Sequence, residues 1–60
     1  MRAPITVFAV YEHGERLSPH FLLEKSALAA KFNLFAKHKK AVVVETLMAA
    51  TMDAIRQIQQ

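Results

Sequence analysis

The side chains in this sequence with the chemistry for acid–base, metal or nucleophilic work are few. They are Glu12, Glu15, Glu24, Glu45 and Asp53, His13, His20 and His38, and Ser18 and Ser26. A general acid or base needs a pocket that shifts its pKa and a partner within hydrogen-bond reach. Glu12 and Glu15 instead flank a turn and point to solvent, and the other carboxylates are scattered along the chain. Neither serine stands in a nucleophile motif, and Ser18 is better explained as a helix cap. With Gly14 as the one glycine, no glycine-rich loop can cradle a phosphate. An enzymatic role, a small-molecule substrate and a cofactor are therefore not expected.

The three histidines lie far apart, and none of their spacings resembles a metal-ligand pair. Cysteine is absent, which removes thiolate zinc sites and disulfides. No metal is expected. His20 near a helix start is disfavoured as a cation, and His38 near a helix end is favoured as one.

Binding chemistry is better represented. Lys37-His38-Lys39-Lys40 is the densest charge cluster, with Lys31 about two turns earlier and Arg16 upstream. These side chains suit phosphate contact, which would make binding salt-dependent. Equally, the cluster suits a solvated turn whose lysines stabilise the C-terminus of the helix before it. The aromatic residues Phe8, Phe21, Phe32 and Phe35 offer either core packing or a docking face for a partner. Those two alternatives merge if the partner is a second copy of the chain. Met48 and Met52 are most simply core.

These groups need elements to position them. Ile5-Thr6-Val7-Phe8-Ala9-Val10-Tyr11 is rich in β-branched and aromatic residues and reads as a strand. Both of its faces are mostly apolar, so something must cover each side. His13-Gly14 reads as a tight turn, with glycine supplying a positive φ, and Glu15-Arg16-Leu17 as a short return strand. Ser18 as N-cap and Pro19 as first helical residue favour a helix from Pro19 to about His38. In the alternative, the return strand runs through Leu22 and the helix starts near Ser26. The earlier start is preferred, because Pro19 in a strand is acceptable only at an edge. On a helical wheel Phe21, Leu28, Phe32 and Phe35 form one stripe, while Leu23, Ala27, Ala30 and Leu34 form a second. A surface helix of a monomer has one, so the second predicts packing against another chain. A second amphipathic helix is predicted over about Ala41–Ile58, although Val42-Val43-Val44 alone could pass as a strand. Its apolar side carries Val43, Val44, Leu47, Met48, Thr51, Met52, Ala54, Ile55 and Ile58.

Sixty residues make one domain, residues 1–60, which buries only about 60% of the surface its unfolded chain exposes. Without disulfides or a metal, oligomerisation is the expected source of stability. The apolar fraction of 53% with 22% charged residues argues against a disordered chain. The net charge of +3 is compatible with an anionic partner without demanding one. Met1-Arg2-Ala3-Pro4 leads into an apolar stretch broken by Tyr11-Glu12-His13-Gly14-Glu15-Arg16, too short for a signal peptide. No run approaches the roughly 20 residues that span a bilayer. A cytoplasmic protein with no membrane partner is expected.

The order strand, helix, basic turn, helix in a short basic chain resembles the ribbon-helix-helix family of DNA-binding repressors. Arg16-Leu17-Ser18-Pro19 and Lys40-Ala41-Val42-Val43-Val44-Glu45-Thr46-Leu47 carry that resemblance, over about two thirds of the chain. It implies a homodimer whose paired strands enter the major groove. The first strand departs from the pattern, since Thr6 beside Phe8 and Val10 is the one polar group on its face for base readout.

The expected architecture is therefore α+β: an N-terminal strand or short hairpin followed by two amphipathic helices, in a homodimer. The expected function is a small regulator that binds a protein partner, not yet identified, through Phe8, Phe21, Phe32 and Phe35. The alternative is a DNA-binding regulator using Arg16, Lys31, Lys37, Lys39 and Lys40.

Overall fold

A computed structural model describes residues 3–59. Met1, Arg2 and Gln60 lie outside the described residues, and so does the first half of the Met1–Pro4 start weighed above as a leader. Strand β1, Ile5–Glu12, occupies the middle of a three-stranded antiparallel sheet of order β2-β1-β3, with β2 at Glu15–Arg16 and β3 at Val42–Met48. The β1–β2 turn has His13 at φ 53° and Gly14 at φ 80°. Two consecutive left-handed residues make a type I′ turn, whose twist matches that of the flanking strands.

Beyond β2 the return segment keeps to β1 through an irregular ladder. Leu17 N–H donates to the Val10 carbonyl at 2.8 Å. The next rung is made by a side chain: Val10 N–H donates to Ser18 Oγ at 2.9 Å, and that hydroxyl donates to the Pro19 carbonyl at 2.9 Å. Backbone pairing resumes where Phe8 and Phe21 exchange bonds of 2.9 and 2.7 Å. Tyr11 pairs with Arg16 and Phe8 with Phe21, so five steps on the return segment match three on β1. This is a bulge of two residues, and it accommodates Pro19, which has no N–H to offer.

The predicted helix start at Pro19 is thereby corrected. Helix α1 spans Glu24–Leu34, its N-cap Leu23 is extended (φ −111°, ψ 135°), and no side chain caps it. Ser18 serves the sheet instead of a helix, because the backbone of β1 needs a partner at that point. The observed path lies close to the alternative that carried the return strand through Leu22.

The predicted helix over Ala41–Ile58 is corrected as well. Residues Val42–Met48 form β3, paired with β1 from Tyr11↔Val42 to Ile5↔Met48. Helix α2 is confined to Met52–Gln57, capped by Thr51, whose Oγ1 accepts from Ala54 N–H at 3.1 Å. Three successive β-branched valines suit a pleated surface, and β1 has a full row of backbone groups on that side to satisfy. The expected hairpin followed by two amphipathic helices thus gives way to a strand-heavy α+β sheet with two short helices. The resemblance to ribbon-helix-helix proteins ends here, because the position of their second helix is a strand.

After α2 the tail turns back along the return segment. Gln59 N–H donates to the His20 carbonyl at 2.8 Å, and Leu22 N–H donates to the Gln59 carbonyl at 2.7 Å. The sealed core comprises Val7, Ala9 and Val10 of β1, Ala27 of α1, and Ala41. Val7 and Ala9 lie on one face of β1 and Val10 on the other, so the strand is covered on both sides, as its composition predicts. Helix α1 packs on β1 and β3. The largest fully buried side chains are valines, and so small a core leaves much apolar surface outside. Among the described residues no helix is long and apolar enough to cross a membrane.

Candidate interaction surfaces

Helix α1 divides its apolar residues between two sides. Ala27 is buried and Ala30 and Leu34 are half-buried, whereas Leu28, Phe32 and Phe35 face out. Phe32 is 75% exposed and Phe35, the C-cap, 54%. The two predicted stripes survive in part. Phe21 lies before the helix in the return segment and Leu23, the N-cap, is exposed, while Ala27, Ala30 and Leu34 turn inward and Leu28, Phe32 and Phe35 outward. The four phenylalanines do not act together. Phe8 and Phe21 are half-buried and paired within the sheet, Phe8 also standing opposite Glu45. Only Phe32 and Phe35 belong to an open face, with Leu28 as the neighbour that sequence reasoning left off the candidate site.

A second open surface is the outer edge of β3. Phe8 and Val10 direct their backbone groups toward the return segment. By the alternation of an antiparallel strand, Val7, Ala9 and Tyr11 then direct theirs toward β3. Their partners Thr46, Val44 and Val42 point back to β1, which leaves the N–H and C=O groups of Val43, Glu45 and Leu47 on the free edge. Along this strand Val42, Val44 and Leu47 are exposed apolar side chains. Val42-Val43-Val44 carried the signal for this surface, but periodicity assigned it to a helix.

The basic turn is held in place by a carboxylate. His38 Nδ1 donates to Glu12 Oε1 at 2.9 Å and Lys40 N–H donates to Glu12 Oε2 at 3.2 Å. Glu12 is half-buried, which corrects its reading as a solvent-directed residue; Glu15 is exposed. The hydrogen bond from His38 is the chief cause that holds the Glu12 carboxyl below its ordinary value. Partial burial opposes it, and the Lys40 N–H reinforces it. Lys37, Lys39 and Lys40 are exposed around this clamp, and Lys31 is half-buried in the last turn of α1. Arg16 and Val42 flank Tyr11 in one row of the sheet. Arg16 therefore lies two strand spacings, about 10 Å, from Val42, at the end of the sheet where the lysine turn leads into β3.

At the bulge, Arg16 Nη1 donates to His20 Nδ1 at 2.8 Å. Burial, and then the Arg16 guanidinium, push His20 below its ordinary value. This replaces the expected influence of a helix N-terminus, since α1 starts four residues later. Arg16, Leu17, Ser18, Pro19 and Gln57 line a groove of about 410 Å³ there. A smaller, apolar groove of about 260 Å³ lies between Ile5, Leu22, Ile55 and Ile58. Among the described residues no three His, Asp or Glu side chains are grouped to hold a metal ion. Compared with known proteins, the chain matches no family model, no curated relative and no solved structure.

Proposed function

We propose that this chain is a small non-enzymatic regulator, of inhibitor or adaptor type, that binds proteins through its apolar surfaces as a cytoplasmic homodimer. One observation carries the reading. Among the described residues, ten large apolar residues are at least 37% exposed, against five apolar residues in the sealed core. Scattered apolar residues are ordinary on a protein surface. Six of the ten lie on two surfaces, Leu28, Phe32 and Phe35 on the outer side of α1 and Val42, Val44 and Leu47 along β3, and gathered apolar surface marks interaction sites.

A second reading, DNA binding, is favoured by the clamp that sets exposed Lys37, Lys39 and Lys40 at the same end of the sheet as Arg16. Sedimentation equilibrium at low and high salt, with and without a mixed-sequence duplex, separates the two. The protein-binding reading expects a dimer whose mass the duplex does not change. A heavier, salt-sensitive complex, lost when Lys37, Lys39 and Lys40 all become glutamine, overturns it in favour of DNA. A monomer at all concentrations overturns the homodimer.

A further inference from the structure

We infer that the homodimer forms by antiparallel pairing of β3 with β3 of a second copy about a two-fold axis near Val44, joining the two sheets into one. The inference rests on the protein-binding reading and adds to it the surface that makes the dimer.

The two edges of the sheet are unequal. On the return-segment side, Gln59 bonds to His20 and Leu22, so the tail covers that edge opposite Phe21. On the other side, Val43, Glu45 and Leu47 have no backbone partner among the described residues, over a regular seven-residue strand. An open, regular edge with apolar side chains is a template for another strand.

Surface area favours a second copy as the occupant. A compact monomer of 6.8 kDa exposes about 3,950 Å² by the scaling of surface with mass. This chain exposes 4546 Å², roughly 600 Å² more. Two copies together have about 1,200 Å² in excess, the lower bound for a stable specific interface. An isologous contact supplies the same patch from both sides.

Charge excludes the full register. An axis through Glu45 would pair all seven residues but set two carboxylates directly opposite, which is destabilising. Shifting the axis one residue, to Val44 or to Thr46, separates the carboxylates and keeps five residues paired. The Val44 axis is favoured because it buries two exposed valines against each other where the other sets two threonines; residues 42–46 are then paired. Val43 of one copy then exchanges hydrogen bonds with Glu45 of the other, Val42 faces Thr46, and Val44 faces Val44. The outer stripe of α1, with Leu28, Phe32 and Phe35, remains free on each copy for a foreign partner, so the dimer is bivalent.

The chain contains no cysteine, so single-cysteine variants report the contact without background. In a non-hydrogen-bonded antiparallel pair the Cα atoms lie about 4.5 Å apart, within disulfide range. Under mild oxidation Val44→Cys is expected to cross-link into a dimer, while Val42→Cys, Thr46→Cys and Phe32→Cys stay largely uncrosslinked. Preferential cross-linking at Thr46 overturns the register. If the unmodified protein is a dimer but Phe32→Cys cross-links in place of Val44→Cys, the β3 interface is overturned and the protein-binding reading stands. An unmodified protein that is monomeric overturns both. A second variant guards against misfolding. Glu45→Pro removes an outward N–H and leaves the β1 ladder intact. With an unchanged circular dichroism spectrum, it should weaken dimerisation roughly tenfold or more, through the lost edge bonds. Undiminished dimerisation of a folded Glu45→Pro protein overturns the proposal.

Discussion

Replacing Ser18 with alanine removes one oxygen and leaves the Val10 N–H, in a residue with no exposure to solvent, without its acceptor. An orphaned buried backbone donor costs about 1–3 kcal/mol. The bond from Ser18 Oγ to the Pro19 carbonyl is lost too, but Pro19 is exposed and water can replace it. A core this small supplies no more than about 3–5 kcal/mol, so the change removes a large share of the stability. For a domain of this size each kcal/mol shifts the melting temperature by about 4–8 °C, which sets the expected drop at roughly 5–20 °C. Urea unfolding followed by circular dichroism gives the free energy, and amide exchange at Val10 reports the bond itself. Ser18→Thr, which keeps the hydroxyl, should recover most of the loss. If Ser18→Ala unfolds within about 0.5 kcal/mol of the parent protein, or its Val10 amide exchanges no faster, Ser18 is not a rung of the ladder.

Other consequences are equally direct. Leu23→Asp gives α1 the side-chain cap it lacks and should stabilise the protein by about 0.5–2 kcal/mol in urea titrations. Gly14→Ala meets no atom within 4 Å but must hold φ +80°, so a loss of about 1–2 kcal/mol arises from backbone strain alone. Acid should destabilise the fold in two steps. The lowered pKa of His20 contributes stability that is complete above its ordinary 6.5 and lost as the pH falls through the folded value. Glu12 acts in the same sense below its ordinary 4.5. A urea midpoint that stays level from pH 7 to 5 contradicts the first step, and one in Glu12→Gln that still falls below pH 4.5 as in the parent contradicts the second. If folding is coupled to dimerisation, the melting temperature should rise with protein concentration, whereas a stable monomer gives a constant value.

The elements legible in the sequence are those fixed by their own residues. β1 follows from its β-branched and aromatic run, and the turn follows from His13-Gly14. Ser18-Pro19 shows where such reasoning stops, because the same pair suits a helix start or a strand bulge. The choice depends on whether Val10, eight residues away, needs an acceptor. Val42–Met48 is similar: its apolar residues fit a helical wheel, and only the unpaired side of β1 turns them into a strand. Thr51, placed on the apolar side of the expected second helix, is the cap that starts α2. Glu12 was legible as a turn residue but not as the ligand of His38, 26 positions on. The outer stripe of α1 was legible in part: Leu28, Phe32 and Phe35 keep their helical spacing, while Phe21, which the wheel placed with them, lies in the return segment before α1.

The two open surfaces differ in kind, and that difference bears on how the chain can act. The β3 edge offers backbone groups in a fixed spacing, with Glu45 restricting the registers a symmetric partner can adopt. It is suited to strand pairing, and the proposed occupant is a second copy of the same strand. The α1 stripe offers flexible and aromatic side chains, Leu28, Phe32 and Phe35, without a matching row of polar groups. Such a surface can adapt to a foreign apolar groove, as amphipathic helices do. The inner side of the same helix is anchored by Ala27, Ala30 and Leu34, so the outer side can be altered without unpacking the sheet. On the proposed reading, assembly and recognition are separable, one assigned to a strand edge and the other to a helix face.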